Sequence, residues 1–230
     1  MFGSFSPFSV VADVEEATHA ATVDVVRSDW PSLLVLTNGA DVPDVVGFVS
    51  AVLLAGAPAI VFREKHLPED ERRALGEQVA ELVHSAGATL IVASDVQLAI
   101  DLRAHAVHLA AADPSPGLPP ALPAFVGGMP TFGRSCHNEV ELSGALDEGV
   151  TYTTFSPIYP TLSKPGYGST AGLQRLSEAC RQARNVPVYA LGGIDATNAA
   201  ACIDAGAVGV AVMGNITRSP SPAKQVRQLL

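Results

Sequence analysis

Cysteine is scarce in this chain: three residues, Cys136, Cys180 and Cys202, among 230. They fit neither a disulfide framework nor the close spacing of a metal site, so a reducing compartment, the cytoplasm, is the expected location. Positive charge is also short. Fourteen Lys and Arg stand against 23 Asp and Glu, with no basic run, which argues against a nucleic-acid face and against an anionic membrane surface. No run of about 18 apolar residues is present to span a bilayer. The first residues also lack the basic-then-apolar order of a signal peptide. Low-complexity tracts are absent too, and 48% of the residues are apolar, which suits one domain with a substantial core.

The apolar residues are organised. Short apolar runs alternate with helical patterns after a leader of about 30 residues, as in parallel βαβ units. The expected strands are 33–37, 59–63, 89–93, 106–109, 131–135, 152–156, 188–192 and 208–212. Helical stretches are expected at 44–54, 69–85, 96–103, 139–148, 173–184 and 197–205. Ala55-Gly56, Ala86-Gly87, Glu148-Gly149 and Ala205-Gly206 read as helix C-caps. The echo of Ala-Gly-Ala at 55–57, 86–88 and 205–207 repeats one strand-helix unit, and eight strands close a barrel. The expectation is an α/β chain with a single-domain (β/α)8 TIM barrel over 31–230. Residues 1–30 form a leader of uncertain structure, either with a helix at 15–26 or as flexible cover. Five prolines between Asp113 and Pro123 make that connection a loop.

Chemistry is expected where strands surface, because small phosphorylated ligands bind at the C-terminal ends of barrel strands. Arg63-Glu64-Lys65 ends strand two, and Ser156 to Gly168, with Thr161 and Lys164, follows strand six. Gly192-Gly193 and Met213-Gly214-Asn215 end strands seven and eight, where bare backbone N–H groups can cradle phosphate; the blander reading of Gly192-Gly193 is a turn. His137 lies two positions past Ser135, so the two share a strand face and Cys136 points away. Imidazole both takes and returns a proton near neutrality, but His137 could equally cap the helix near Asn138. His108 reads as a satisfied barrel histidine, and His19, His66, His84 and His105 as surface residues. Asp95 reads as an N-cap. Lys164 to Gly168 reads as a flap with Tyr167 over a flat ring, or as a surface turn. Asn215-Ile216-Thr217 matches a glycosylation acceptor by chance.

Taken in order, the elements Arg63 to Lys65, Val107-His108-Leu109 with Asp113, Gly133 to His137, Pro157 to Thr161 with Lys164, Ala190 to Ile194 with Asn198, and Ala205 to Val212 resemble the thiamine phosphate synthase and TenI superfamily over about residues 33–217. The resemblance implies a phosphate-binding barrel of thiamine biosynthesis. Synthases of this kind join a hydroxymethylpyrimidine pyrophosphate to a thiazole phosphate. They carry a Gln, an Asn-Asp pair and an Asp where this chain has Val61, Ala93-Ser94 and Asp113. A magnesium pyrophosphate needs hard oxygen ligands, so the departure weakens the synthase expectation. TenI-like members instead aromatise a carboxy-thiazole phosphate by a proton shift, with a His and no metal.

The first expectation is therefore a TenI-like thiazole tautomerase with His137 as catalyst. Arg63, Lys65, Ser135, Thr161, Lys164, Gly192, Gly193, Met213 and Gly214 would hold a small phosphorylated thiazole, with no cofactor. The alternative is a thiamine phosphate synthase using Mg2+ at Asp113. A second alternative is a non-catalytic phosphate-binding barrel. Homo-oligomerisation is left open.

Overall fold

A strand buried on both faces is apolar at every position, which is how parallel barrels read in sequence. In the computed structural model, which describes residues 30–115, 131–161 and 170–230, the eight apolar runs form parallel strands closed in chain order. They are β1 Leu33–Leu36, β2 Ala59–Phe62, β3 Thr89–Ala93, β4 Ala106–Leu109, β5 Phe132–Cys136, β6 Tyr152–Phe155, β7 Val188–Leu191 and β8 Gly209–Val212. The closing seam pairs Leu33 with Val210 and Val35 with Val212. This is a (β/α)8 barrel, as the sequence predicts.

The helices are α1 Val45–Leu54, α2 Glu69–Ser85, α3 Val96–Asp101, α4 Glu139–Asp147, α5 Gly172–Ala183, α6 Ala199–Asp204, α7 Gly214–Thr217 and α8 Pro222–Leu229. Caps set several boundaries. Asp44, Asp95 and Asn138 accept the N–H groups of Gly47, Leu98 and Glu141, each satisfying a donor that a helix start leaves open. Gly56, Gly87, Gly149 and Gly206 take φ between 66° and 106° just past the helix ends, as expected of Ala-Gly punctuation. The short helices α7 and α8 were not foreseen: α7 is a single turn, and α8 begins on Pro222, tolerated in a first turn. Residues 1–29, most of the proline-rich connection and the flap at 164–168 lie outside the described residues. No helix among those described is long and apolar enough to cross a membrane.

Alternation along each strand divides the core into two layers. Outward residues such as Val35, Phe62, Val92, Val107, Phe155 and Val210 pack with helix residues such as Val49, Val79, Leu142 and Leu176. Inward residues fill the barrel itself. Tyr152 and Tyr189 are fully buried there, edge to face with ring centroids 5.9 Å apart, and the Tyr189 hydroxyl donates to Pro31 O at 2.7 Å. Glycine makes room for both rings. A Cβ at Gly133 would overlap the Tyr152 ring, and one at Gly209 would lie 2.8 Å from Tyr189 Cε1. Gly133→Ala is therefore expected to cost about 1–3 kcal/mol through overpacking, read as a lower urea midpoint with an unchanged slope. An unchanged midpoint would show that Tyr152 can move aside.

Candidate active site

The inward positions at the strand ends converge on one cavity of about 420 Å³. Leu34, Leu36, Val61, Ala93 and Ala211 give it an apolar wall. Polar groups enter from three sides. Arg63 and Lys65 come from the β2 end. Ser135, His137, Thr154 and Ser156 come from β5 and β6. Gly192, Gly193, Met213, Gly214, Asn215 and Arg218 come from the β7 and β8 ends. Thr161 is on the wall as well, whereas Lys164 lies outside the described residues.

His137 is held at both ends of its residue. Its backbone N–H donates to Glu141 Oε2 at 2.8 Å, completing a reciprocal cap in which Asn138, not His137, caps α4. Its Nδ1 is 2.9 Å from the Ser156 carbonyl and 3.1 Å from the Ser156 hydroxyl. A carbonyl only accepts, so Nδ1 carries the proton and Nε2 is the basic nitrogen. Cys136 faces the outer core, fully buried, and burial pushes its thiol up to about 12, an inert group.

His108 is the satisfied barrel histidine the sequence suggests, yet it also reaches the cavity. Nδ1 lies 3.1 Å from the Tyr152 hydroxyl, and Nε2 lies 2.9 Å from Ser135 Oγ. Burial, with the positive charges of Lys65 and Arg134, drives its pKa down to about 4, although Asp113 opposes them. Neutral His108 thus orients Ser135 and carries no charge at neutral pH. His84 is a surface residue, as expected, whereas His105 is a correction to the sequence reading. His84 Nε2 is 3.0 Å from Leu102 O, joining the ends of α2 and α3, and half-buried His105 accepts the Leu90 N–H at 3.0 Å, tying the turn before β4 to β3. His66 stays exposed, 3.6 Å from Glu64.

The cavity glycines answer to packing. Gly192 and Gly193 have φ of 98° and 68°. A Cβ on Gly192 would lie 2.8 Å from Pro157 Cα, and one on Gly193 would lie 2.5 Å from Pro160 O. Their bareness thus serves close approach of the β6 loop, whatever ligand binds. Asn215 Nδ2 donates to Ile194 O at 2.6 Å and locks the β7 and β8 loops together.

The donor set for a magnesium ion is poor. Asp113 Oδ2 already accepts the Ala110 N–H at 2.7 Å. Among the described residues, no cluster of three or more His, Cys, Asp or Glu is arranged to hold a metal. Ala93 and Ser94 bring no carboxylate to the strand above. Among the described residues, a magnesium diphosphate would thus find fewer carboxylate ligands here than the resemblance implies.

Sequence reasoning missed three features. Glu64 is not a solvated loop charge: it is 1% exposed, and its Oε2 accepts the Gly39 N–H at 2.7 Å, tying the β2 end to the β1 loop. Buried Arg134 faces outward from β5, pairs with Glu148 at 2.9 Å and donates to Ala110 O at 3.0 Å and Asp113 O at 2.8 Å. It thereby fixes the loop after β4. Arg218 is the third, and only its place six residues past β8 could have signalled it.

His108 also generates a pH prediction. Its folded pKa lies below the unfolded value of about 6.5, so between pH 6.5 and 4 the unfolded chain binds the extra proton. Its contribution is present above pH 6.5 and is lost as pH falls toward 4, an effect on the order of 3 kcal/mol. Urea midpoints of the parent should fall over that window, and those of His108→Gln should fall less. Parallel curves would contradict the burial account.

A closed eight-stranded parallel barrel with one cavity at its strand ends, lined by Arg63, Lys65, Ser135 and His137, is the architecture of the (β/α)8 class. The comparisons with known proteins give the family. The model of the family described as thiamine monophosphate synthase matches residues 33–216, and the chain belongs to that family. It is 37% identical to the thiamine-phosphate synthase of a Roseiflexus species, over 79% of this chain and 75% of that protein. It is 36% identical to that of Thioalkalivibrio sulfidiphilus, over 82% and 88%. The thiamine phosphate pyrophosphorylase structure from Pyrococcus furiosus superposes with a TM-score of 0.74 at 26% identity, covering 86% of this chain and 93% of that one.

Proposed function

We propose that this chain is a transferase of thiamine biosynthesis that joins a pyrimidine diphosphate to a thiazole phosphate. The observation that supports this most is the pairing of two anion-seeking regions in one cavity, Arg63 and Lys65 at one side and the β7 and β8 loops at another. Two phosphorylated substrates need two such regions. The names of the relatives point the same way. This reverses the order of expectations, in which the tautomerase came first. His137 favoured that order, but a basic nitrogen on the wall serves either chemistry.

In this reading the thiazole phosphate rests on the loops carrying Gly193 and Gly214, and its ring lies along the apolar wall. The diphosphate of the partner lies toward Arg63 and Lys65. The carbon–oxygen bond to the diphosphate breaks, the leaving group takes the electron pair, and the thiazole nitrogen lone pair forms the new carbon–nitrogen bond. Two side-chain cations stabilise the charge that develops on the leaving oxygen. Ser135, oriented by His108, donates a hydrogen bond to it. The apolar wall excludes water from the carbon under attack.

The tautomerase remains the second reading, favoured by one observation: Val61, Ala93 and Ser94 bring neither the polar pair for a pyrimidine nor a second carboxylate, whereas His137 presents a basic nitrogen with a fixed tautomer. The two readings separate in one pair of assays. The transferase forms thiamine phosphate from the two substrates, tested both with magnesium and with a chelator, and Arg63→Ala or Lys65→Ala raises KM for the diphosphate. Absence of product, together with turnover of the carboxy-thiazole phosphate tautomer that drops about 10²- to 10⁴-fold in His137→Gln, would replace the transferase with the isomerase.

A further inference from the structure

The loops after β1 and β8 meet at Asp41. Its Oδ2 accepts from Asn38 Nδ2 at 2.9 Å, from Thr217 Oγ1 at 3.1 Å and from Arg218 Nη1 at 3.0 Å. Burial works against the charge, but the hydrogen bonds from Asn38 and Thr217 and the positive charge of Arg218 outweigh it and hold the carboxyl below its usual range. Asp41 is thus a fixed anchor. It engages Nη1 of the guanidinium, and the remainder of that group lies over Gly214, where a Cβ would overlap Nη2. Arg218 lines the same cavity as Gly193 and Gly214.

Stability does not explain this arrangement. The Arg218 and Asp41 side chains are 36% and 22% exposed, and an ion pair so open to solvent adds little to the fold. Yet residue 214 must be bare for the guanidinium to lie where it does, and that place is beside the loops that receive phosphate in the proposed function. A planar guanidinium presents paired N–H donors that match phosphate oxygens in spacing and charge.

We propose that Arg218, anchored by Asp41, is the side chain by which this barrel selects a phosphorylated over a dephosphorylated heterocycle. The inference rests on reading the β7 and β8 loops as the phosphate end. It adds a specificity-determining cation to a region otherwise built from backbone, and it holds for either reaction, since both begin from a thiazole phosphate.

Calorimetry on the full chain tests it, with inorganic phosphate, a thiazole phosphate and the corresponding thiazole alcohol as probes. The parent should bind inorganic phosphate and prefer the ester to the alcohol. Arg218→Gln should weaken inorganic phosphate and the ester by about tenfold or more and leave the alcohol unchanged, so that the preference shrinks. Arg218→Lys keeps the charge without the fork and should fall between. A purely structural role would move all three probes together. Melting curves establish that each variant is folded, and if Arg218→Gln is not, Arg218→Lys decides. Parent-like affinity for the ester in either folded variant overturns the proposal and leaves the phosphate end standing. A parent that binds no phosphate and shows no preference for the ester overturns both.

Discussion

Closure of eight parallel strands imposes a strict two-residue alternation, and the rest of this molecule follows from it. Each strand has one face against the helices and one toward the barrel axis. Phe62, Val107, Phe155 and Val210 seal the outer layer. Arg63, Ser135 and Ser156 stand at inward positions at or just past the strand ends and meet in one cavity although 93 residues separate the first from the last. A one-residue slip in any strand would send its polar end into the helical layer and an apolar side chain into the cavity. The barrel therefore positions the chemistry and the core by the same register.

The lower interior shows how little freedom that register leaves. Two tyrosines fill the axis, and Gly133 and Gly209 yield the volume they need. His108 stacks on Tyr152 with ring centroids 5.4 Å apart and passes the constraint upward to Ser135. A buried ring without charge thus connects the packed floor to the polar mouth. The same economy operates at the rim, where Gly192 and Gly193 have positive φ and the β6 loop passes too close for a side chain.

Much of this was legible in the sequence, for physical reasons. Apolar runs bounded by Ala-Gly gave the strands and the helix ends, because buried parallel strands and left-handed C-caps leave direct residue signatures. Asp95 was legible as an N-cap from its place before Val96, and Ser135 with His137 followed from strand alternation. Arg218 was not legible, since its meaning depends on Asp41, 177 positions away across the seam of the barrel. His105 was misread as a surface residue because no local pattern reveals its backbone partner, Leu90 on β3. The choice between proton transfer and group transfer was also beyond the sequence. Val61, Ala93 and Ser94 argue against a metal diphosphate site, while the relatives over four-fifths of the chain carry synthase names. In the proposed function those missing ligands weigh less than the two regions read as anion-seeking, Arg63 with Lys65 and the β7 and β8 loops.

The central claim is that those two regions bind different anions at once. A crystal structure of the protein with inorganic pyrophosphate and a thiazole phosphate together would test it directly. The account predicts diphosphate phosphorus atoms beside Arg63 and Lys65, and the ester phosphate beside Gly193, Gly214 and Arg218. Both anions competing for one end, with the other end empty at saturating ligand, would contradict it.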